Sequence, residues 1–365
     1  MLIDIIAGAR PNFVKIAPII DAIKKEESRG CDIHYRLIHT GQHYDKKMSG
    51  DFFEELGIPE PDINLGAGSG SQAEQTAAIM VKYEKVLMET RPDLVLVVGD
   101  VTSTMACSIT AKKLNNIKVS HVEAGIRSGD LTMPEEINRM VTDAITDYFF
   151  TTSEKANENL RNAGVSDDRI FFVGNTMIDT LLKQMPRFKK PAIWDELALK
   201  EKEYIVMTLH RPANVDQEQQ LGELIDTIIN SSRGLPLIFP VHPRTAKILQ
   251  NVGIQASNLH LIDPLGYLEF NYLVKNAKAV ITDSGGITEE TTVMRVPCMT
   301  LRDNTERPET ITVGTNELLG THPKAIKPAF DKLFSGNWKK GDIPELWDGK
   351  TAQRIVNYIC NYLKL

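Results

Sequence analysis

A repeated alternation of short apolar runs with helical segments restricts this chain more than any other feature. Leu2–Ala7 is an apolar run stopped by Gly8. Pro11 opens a segment in which Phe13, Ile16, Ala17, Ile20 and Ile23 recur at helical spacing, and Ile33–Thr40 reads as a second strand stopped by Gly41. Strand, helix and strand in this span form a βαβ unit, which requires a parallel sheet with right-handed crossovers. Ser71-x-x-Glu74 is a capping box that opens a long helix ending near Arg91-Pro92. Leu94–Val98, Val119–Val122, Tyr148–Thr151 and Ile170–Val173 read as strands, and Ser103–Leu114, Glu135–Thr146 and Glu154–Ala163 as helices. Gly66–Ser71 is a flexible loop and not a dinucleotide fingerprint, because no strand immediately precedes it.

The rhythm loosens over residues 175–200, around Pro186, Pro191 and the polar run Leu199–Glu203. It restarts with a strand at Tyr204–Leu209, a helix at Gln217–Ser231, and strands at Leu237–Pro240, Leu259–Ile262, Ala279–Thr282 and Cys298–Leu301. Two α/β domains are expected, 1–175 and 176–350, with a last helix within 351–365 that can pack on either. A length of 365 residues suits two domains, at about 100–200 residues each.

Composition narrows the partners. The chain is 42% apolar and 25% charged, as ordinary globular proteins are. Its 42 basic and 48 acidic residues give a net charge of −6, which argues against nucleic acid or an anionic membrane as the main partner. The densest apolar run, Leu94–Val98, is far short of the roughly 18 residues of a membrane span. Asp4 and Arg10 interrupt what would be the core of a signal peptide, so a cytoplasmic location is expected. Cys31, Cys107, Cys298 and Cys360 lie far apart in sequence, with no CxxC and no histidine at ligand spacing. Reduced thiols and no bound metal are the expectation.

In open α/β sheets the ligand lies beyond the carboxyl ends of the strands, so the residues that follow each strand are the candidates. Arg10 and Lys15 flank a helix N-terminus after the first strand. They are either a solvated pair or, with the positive helix end, a site for a diphosphate. Asp100 follows Leu94–Val98 and is either a helix N-cap or a working carboxylate. Glu123 ends the buried strand Val119–Val122 with no capping role, and a carboxylate there needs a partner or a task. Thr132-x-x-Glu135 fits a capping box, and Glu135 and Arg139 are spaced for an ion pair. Gathered at one sheet edge, Asp100, Glu123 and Glu135 would raise one another's pKa and support proton abstraction from carbon.

The second half places His210-Arg211 at one strand end, His242-Pro243-Arg244 at the next, and Asp283-Ser284-Gly285-Gly286 before a helix carrying Glu289 and Glu290. Ser284, Gly285 and Gly286 let backbone N–H groups approach phosphate oxygens without an intervening Cβ. Glu290 is placed to accept hydrogen bonds from a ribose diol. This combination points to a nucleotide sugar.

These motifs resemble the non-hydrolysing UDP-N-acetylglucosamine 2-epimerases over nearly the whole chain. The resemblance is carried by Gly8-Ala9-Arg10-Pro11, Thr40-Gly41-Gln42-His43, Gly99-Asp100, His121-Val122-Glu123-Ala124-Gly125, Pro134-Glu135-Glu136-Ile137-Asn138-Arg139, Asp283-Ser284-Gly285-Gly286 and Arg302-Asp303-Asn304-Thr305-Glu306-Arg307-Pro308. It implies a GT-B-like α/β fold, two Rossmann-like domains with parallel sheets facing a central cleft, a homodimer, and a C-terminal helix that returns to the first domain. It also implies no cofactor. Roles then follow by matching position: Arg10 and Lys15 as substrate and diphosphate contacts, Asp100, Glu123 and Glu135 as catalytic carboxylates, and His210 beside the diphosphate. Phe270 matches an aromatic in the uridine pocket, Ser284–Gly286 the phosphate turn, Glu290 the ribose ligand and Arg307 a further substrate contact.

The implied reaction is anti elimination of UDP across C1–C2 of UDP-GlcNAc, giving a 2-acetamidoglycal, and re-addition with the C2 proton on the opposite face. The chain departs from the family pattern at Pro212-Ala213, at Leu265, in a shortened loop between Gly129 and Pro134, and at Asp45. Asp45 stands where bacterial relatives place the second glutamine of an allosteric site that Gln42 begins. The short loop also occurs in relatives that act on modified sugars such as a diacetamido-glucuronic acid or a 6-deoxy hexosamine. Competing readings are a GT-B glycosyltransferase, a hydrolysing epimerase and a nucleotide-sugar sensor; a dinucleotide oxidoreductase is set aside, because no GxGxxG follows a strand.

Overall fold

The computed structural model describes the chain except for residues 42–52, 115–116, 216–217, 242–245, 247, 250–252, 255 and 364–365. Gln42, His43, Asp45, His242 and Arg244 therefore lie outside the described residues. Two compact units are present, one comprising Met1–Lys183 and Glu345–Leu365, the other Gln184–Pro344.

The first unit is built on seven parallel strands: β1 (Leu2–Ala7), β2 (His34–His39), β3 (Ile63–Asn64), β4 (Leu94–Val98), β5 (Lys118–Val122), β6 (Tyr148–Thr151) and β7 (Ile170–Phe172), in the order β3-β2-β1-β4-β5-β6-β7. Every residue of β4 is buried, as a strand covered on both faces by crossover helices must be. The helices that matter for the site are α1 (Arg10–Ser28), α2 (Gln72–Glu89), α3 (Thr102–Lys113) and α4 (Pro134–Ile145). The capping box expected at the start of α2 is present: Glu74 N donates to Ser71 Oγ at 3.3 Å, and Ser71 N to Glu74 Oε2 at 2.9 Å. Strand order reverses between β1 and β4, which puts the topological switch point at the loops after Ala7 and Val98.

The boundaries read from the sequence need correction. The units divide after Lys183 and before Glu345, not at 175 and 350. The reason is α5 (Thr176–Gln184), which belongs to the first unit. Its Asp179 carboxylate accepts from Thr351 N at 3.1 Å and Ala352 N at 2.7 Å, capping the C-terminal helix α6 (Thr351–Asn361). That helix packs against α1, and just before it Trp347 Nε1 donates to Thr152 O at 3.2 Å. The same docking brings Cys31 and Cys360, far apart in sequence, to a sulfur–sulfur distance of 3.0 Å as free thiols.

The second unit holds β8 (Ile205–Thr208), β9 (Leu237–Pro240), β10 (Leu259–Ile262), β11 (Ala279–Thr282), β12 (Cys298–Thr300) and β13 (Asn316–Leu318), all parallel, in the order β10-β9-β8-β11-β12-β13. Its core gathers Ile205, Met207, Leu237, Phe239, Ile281 and Met299 from the strands against helix residues such as Leu221, Ile225 and Phe330. The switch point falls between β8 and β11, at Leu209–His210 and Asp283–Ser284. Strands β3 and β13 were not legible in the sequence; with two and three residues they carry too little apolar signal. Among the described residues no helix is long and apolar enough to cross a membrane.

Candidate functional site

In the first unit the switch point is built from three loops. Gly99 takes φ +69°, which turns the chain sharply as it leaves β4. A Cβ at Gly99 would meet Lys15 Nζ at 3.2 Å, Asn12 Nδ2 at 3.7 Å and Glu123 Oε2 at 3.7 Å, so those side chains crowd against this turn. Lys15, on the buried face of α1, sends its ammonium to within 2.6 Å of Glu123 Oε2. Both side chains are at least nine-tenths buried. Glu123 itself has φ +70°, a left-handed backbone that an ordinary residue occupies only when its surroundings impose it.

Asp100 is not a helix cap. Helix α3 begins at Thr102 with Val101 as its N-cap, and the Asp100 carboxylate is instead ion-paired with Arg139. The expected roles around α4 also change. The helix starts at Pro134 with Met133 as N-cap, so Thr132 does not form a capping box with Glu135; its hydroxyl donates to Asp130 Oδ1 at 2.6 Å. The residue that closes the loop is Glu136, which accepts from Ser128 N and Gly129 N, both at 3.0 Å. Arg139 pairs with Glu136 at 2.7 Å and with Asp100, not with Glu135. Burial alone would raise the Glu136 carboxyl, but those backbone donors and the Arg139 guanidinium hold it below its usual range.

The three predicted carboxylates are thus arranged differently from a mutually repelling cluster. Asp100 and Glu123 each face a cation, Arg139 and Lys15. Glu135 sits on the exposed side of the first turn of α4, and Arg10 is the exposed first residue of α1.

Two buried residues missed by sequence reasoning complete this region. His121, on β5, has Nδ1 2.7 Å from Asp143 Oδ1 and Nε2 2.8 Å from the Gly99 carbonyl. Asp143 Oδ2 accepts from Gly125 N at 3.1 Å and pairs with Arg127 Nη1 at 2.7 Å. Burial would raise the Asp143 carboxyl, yet the His121 hydrogen bond and charge, and then Arg127, hold it low.

In the second unit Asp283 is the organising group. Fully buried at the end of β11, it accepts from His210 N at 3.0 Å, Arg211 N at 2.9 Å and Asn214 Nδ2 at 3.0 Å, fixing the loop after β8. The half-exposed His210 ring lies 3.5 Å from Asp283 Oδ1. Ser284 is the N-cap of helix α7 (Gly285–Val293) and makes no side-chain capping bond. The first-turn N–H groups are therefore not claimed by the Ser284 hydroxyl, which suits the turn to an anion. At Gly285 a Cβ would come within 2.9 Å of Glu306 Oε1. Glu290 is buried in α7 and accepts from Tyr267 Oη at 2.7 Å. Its carboxyl is pushed up to about 7, chiefly by burial, with Tyr267 pulling it down and the charge of Glu289 adding to the rise. Arg307 is buried against Glu289, and Phe270 packs half-buried against the core.

Two doubly wound parallel sheets, each with its chemistry-bearing loops at the switch point, define a GT-B-like α/β protein built from two Rossmann-like domains. The UDP-N-acetylglucosamine 2-epimerase family signature matches residues 25–360. The UDP-N-acetylglucosamine 2-epimerase of Methanocaldococcus jannaschii is 41% identical, over 98% of this chain and 99% of its own. A crystal structure from that organism, described as UDP-GlcNAc 2-epimerase in complex with UDP-GlcNAc and UDP, superposes with a TM-score of 0.87 at 40% identity, covering 98% of this chain and 99% of that one. The UDP-2,3-diacetamido-2,3-dideoxy-D-glucuronate 2-epimerase of Pseudomonas aeruginosa is 37% identical over 98% of this chain and 99% of its own. The chain belongs to the UDP-N-acetylglucosamine 2-epimerase family and, with it, to the isomerases.

Proposed function

We propose that the protein interconverts UDP-GlcNAc and UDP-ManNAc without hydrolysis, supplying a precursor for cell-surface polysaccharide, and works as a homodimer in the cytoplasm. The observation that carries this reading is the pairing of Glu123 with Lys15 and of Asp100 with Arg139 around the Gly99 turn. Each pair sets a carboxylate that can exchange a proton beside a cation that can face a departing anion, although the cation itself favours the ionised carboxylate.

The C2 proton of a pyranose is poorly acidic, because it is not next to a carbonyl. Elimination avoids that difficulty: the C1–O bond to UDP breaks, the C2–H bond breaks, and a C1=C2 double bond forms. One carboxylate among Asp100, Glu123 and Glu135 takes the proton, and UDP leaves with the bonding electron pair. Re-addition of UDP at C1 with proton delivery to the other face of C2 gives the epimer. Arg10, Lys15, His210, Arg307 and the Ser284–Gly286 turn stabilise the charge on the departing UDP, as preorganised donors do. Phe270 and Glu290 hold the uridine and its ribose. No step calls for a metal or a nicotinamide.

Incubation with UDP-GlcNAc in D2O tests the reading. Epimerisation gives UDP-ManNAc with deuterium at C2, hydrolysis gives free sugar, and a transferase or sensor leaves C2 unlabelled. A second reading is supported by the Pseudomonas relative and by the short Thr132-Met133-Pro134 loop: the same reaction on a diacetamido-glucuronate. Offering both nucleotide sugars in one assay decides between them.

A further inference from the structure

Three successive carbonyls at the end of β4 are each held by a side chain from a different element. Val98 O accepts from Asn12 Nδ2 of α1 at 3.0 Å, Gly99 O from His121 Nε2 of β5 at 2.8 Å, and Asp100 O from Asn138 Nδ2 of α4 at 2.8 Å. Asn12 reaches back with its Oδ1 to Gly8 N and Ala9 N. His121 reaches forward through Asp143 to Gly125 N. The loops after β1, β4 and β5 are therefore linked by one continuous buried set of hydrogen bonds.

His121 is the element of this set that spans the two loops carrying Asp100 and Glu123. Its two ring nitrogens face the Asp143 carboxylate and the Gly99 carbonyl, so each end of the ring is tied to a different loop. Asp143 completes the brace, because its second oxygen fixes the peptide two residues after Glu123. Simple core packing would call for an apolar residue at position 121; a fully buried histidine bridging two loops is costly unless the bridge has a purpose.

We infer that His121 and Asp143 are positioning residues, bracing the Gly99–Asp100 and Glu123–Gly125 loops at a fixed separation so that both carboxylates address one reacting carbon. This rests on the epimerase reading for the meaning of that separation, although the brace itself does not. Neither residue touches substrate in this account. Misplacement of a reacting group by about 1 Å costs on the order of 100-fold in rate.

Two amide isosteres separate the halves of the brace. His121→Gln puts an N–H near the Nε2 position and keeps the bond to Gly99 O. His121→Asn puts one near Nδ1 and keeps the bond to Asp143. Each loses one buried hydrogen bond, so a purely structural role predicts similar thermal stability and similar turnover for both. The expected result is a kcat within about fivefold of the parent for His121→Gln, where Asp143 Oδ2 still holds Gly125 N and Arg127, and a loss of about 100-fold for His121→Asn, where the Gly99 carbonyl loses its His121 donor, with UDP affinity by calorimetry unchanged in both. Crystal structures of the two variants should show the Gly99–Asp100 turn displaced in His121→Asn and in place in His121→Gln. Equal losses of kcat, losses that track melting temperature, or an undisplaced turn in His121→Asn would overturn the inference. Should His121→Asn not fold, Asp143→Asn serves instead, with the displacement expected at Glu123–Gly125. If the parent protein turns over no UDP-acetamido sugar, the proposed function fails, and the crystal structures still decide whether the brace exists.

Discussion

The Lys15 ammonium lies 2.6 Å from Glu123 Oε2, and Glu123 itself has a left-handed backbone at φ +70°. A residue with a side chain accepts such a conformation at a cost of about 1–3 kcal/mol, and does so where the surrounding structure dictates it. A glycine would remove the strain at position 123 and the carboxylate together.

Glu123→Gln should therefore lower turnover by about 100-fold or more, the scale of a lost acid–base group. Lys15→Met should cost about 3–5 kcal/mol of stability, because it leaves a buried carboxylate without its cation. Urea unfolding and steady-state epimerisation measure the two effects separately. Normal turnover in Glu123→Gln would remove that carboxylate from the chemistry.

Asp100→Asn and Glu135→Gln distinguish a structural carboxylate from a reacting one. Glu135 is exposed and caps nothing, so its substitution should leave the melting temperature unchanged while turnover falls by about 100-fold. Asp100→Asn should lower turnover on the same scale and also loosen α4 through the loss of the Arg139 ion pair. A Glu135→Gln protein with parental turnover would leave proton transfer to the other two.

Glu290 makes two testable statements. If it binds the ribose diol, Glu290→Ala weakens UDP by about 1.5–3 kcal/mol, and calorimetry showing parental affinity would exclude it. Its carboxyl is also raised to about 7 in the folded protein, from 4.5. The folded state therefore holds a proton that the unfolded chain has released, and this stabilising contribution is present below pH 4.5 and lost as pH rises through about 7. Urea midpoints between pH 5 and 8 should fall more steeply for the parent than for Glu290→Gln.

Kinetics without activation are expected in the reverse direction, starting from the C2 epimer. The resemblance sets Asp45 where bacterial relatives place a glutamine, and a carboxylate at that position would oppose a second diphosphate. Conversion should begin at once and follow a hyperbola. A lag abolished by trace UDP-GlcNAc would reveal a regulatory site.

The sequence made the sheets readable because β1, β4, β8 and β11 are apolar runs bounded by glycine or by polar residues, whereas β5 mixes Lys118, Ser120 and His121 among its valines. It also located Arg10, Asp100, Glu123, His210 and Ser284 just after strand ends, since that follows from the α/β topology alone. It misjudged the partners within α4. There Glu136, Arg139 and Asp143 are buried, while Ile137 and Met140 are 43% and 45% exposed. This inverted helix, polar inward, carries the available signal for Asp143: charged residues at positions 136, 139 and 143 share one face. His121 stands in the motif His121-Val122-Glu123-Ala124-Gly125, but its tie to Asp143 was not legible, because the two lie 22 residues apart and no spacing rule links a strand to the helix after it.

The docking of α6 against α1 has a consequence for biosynthesis. The first unit is interrupted in sequence by the whole of the second, so the ribosome delivers residues 1–183 well before the segment that finishes them. At about 5–20 residues per second, the intervening stretch takes roughly ten to thirty seconds to emerge. Throughout that interval the Asp179 carboxylate has no helix to cap, and the surface of α1 that α6 covers stays open. Vectorial synthesis thus leaves the amino-terminal unit waiting for its last helix, and the nascent chain has a built-in period of vulnerability to aggregation and proteases.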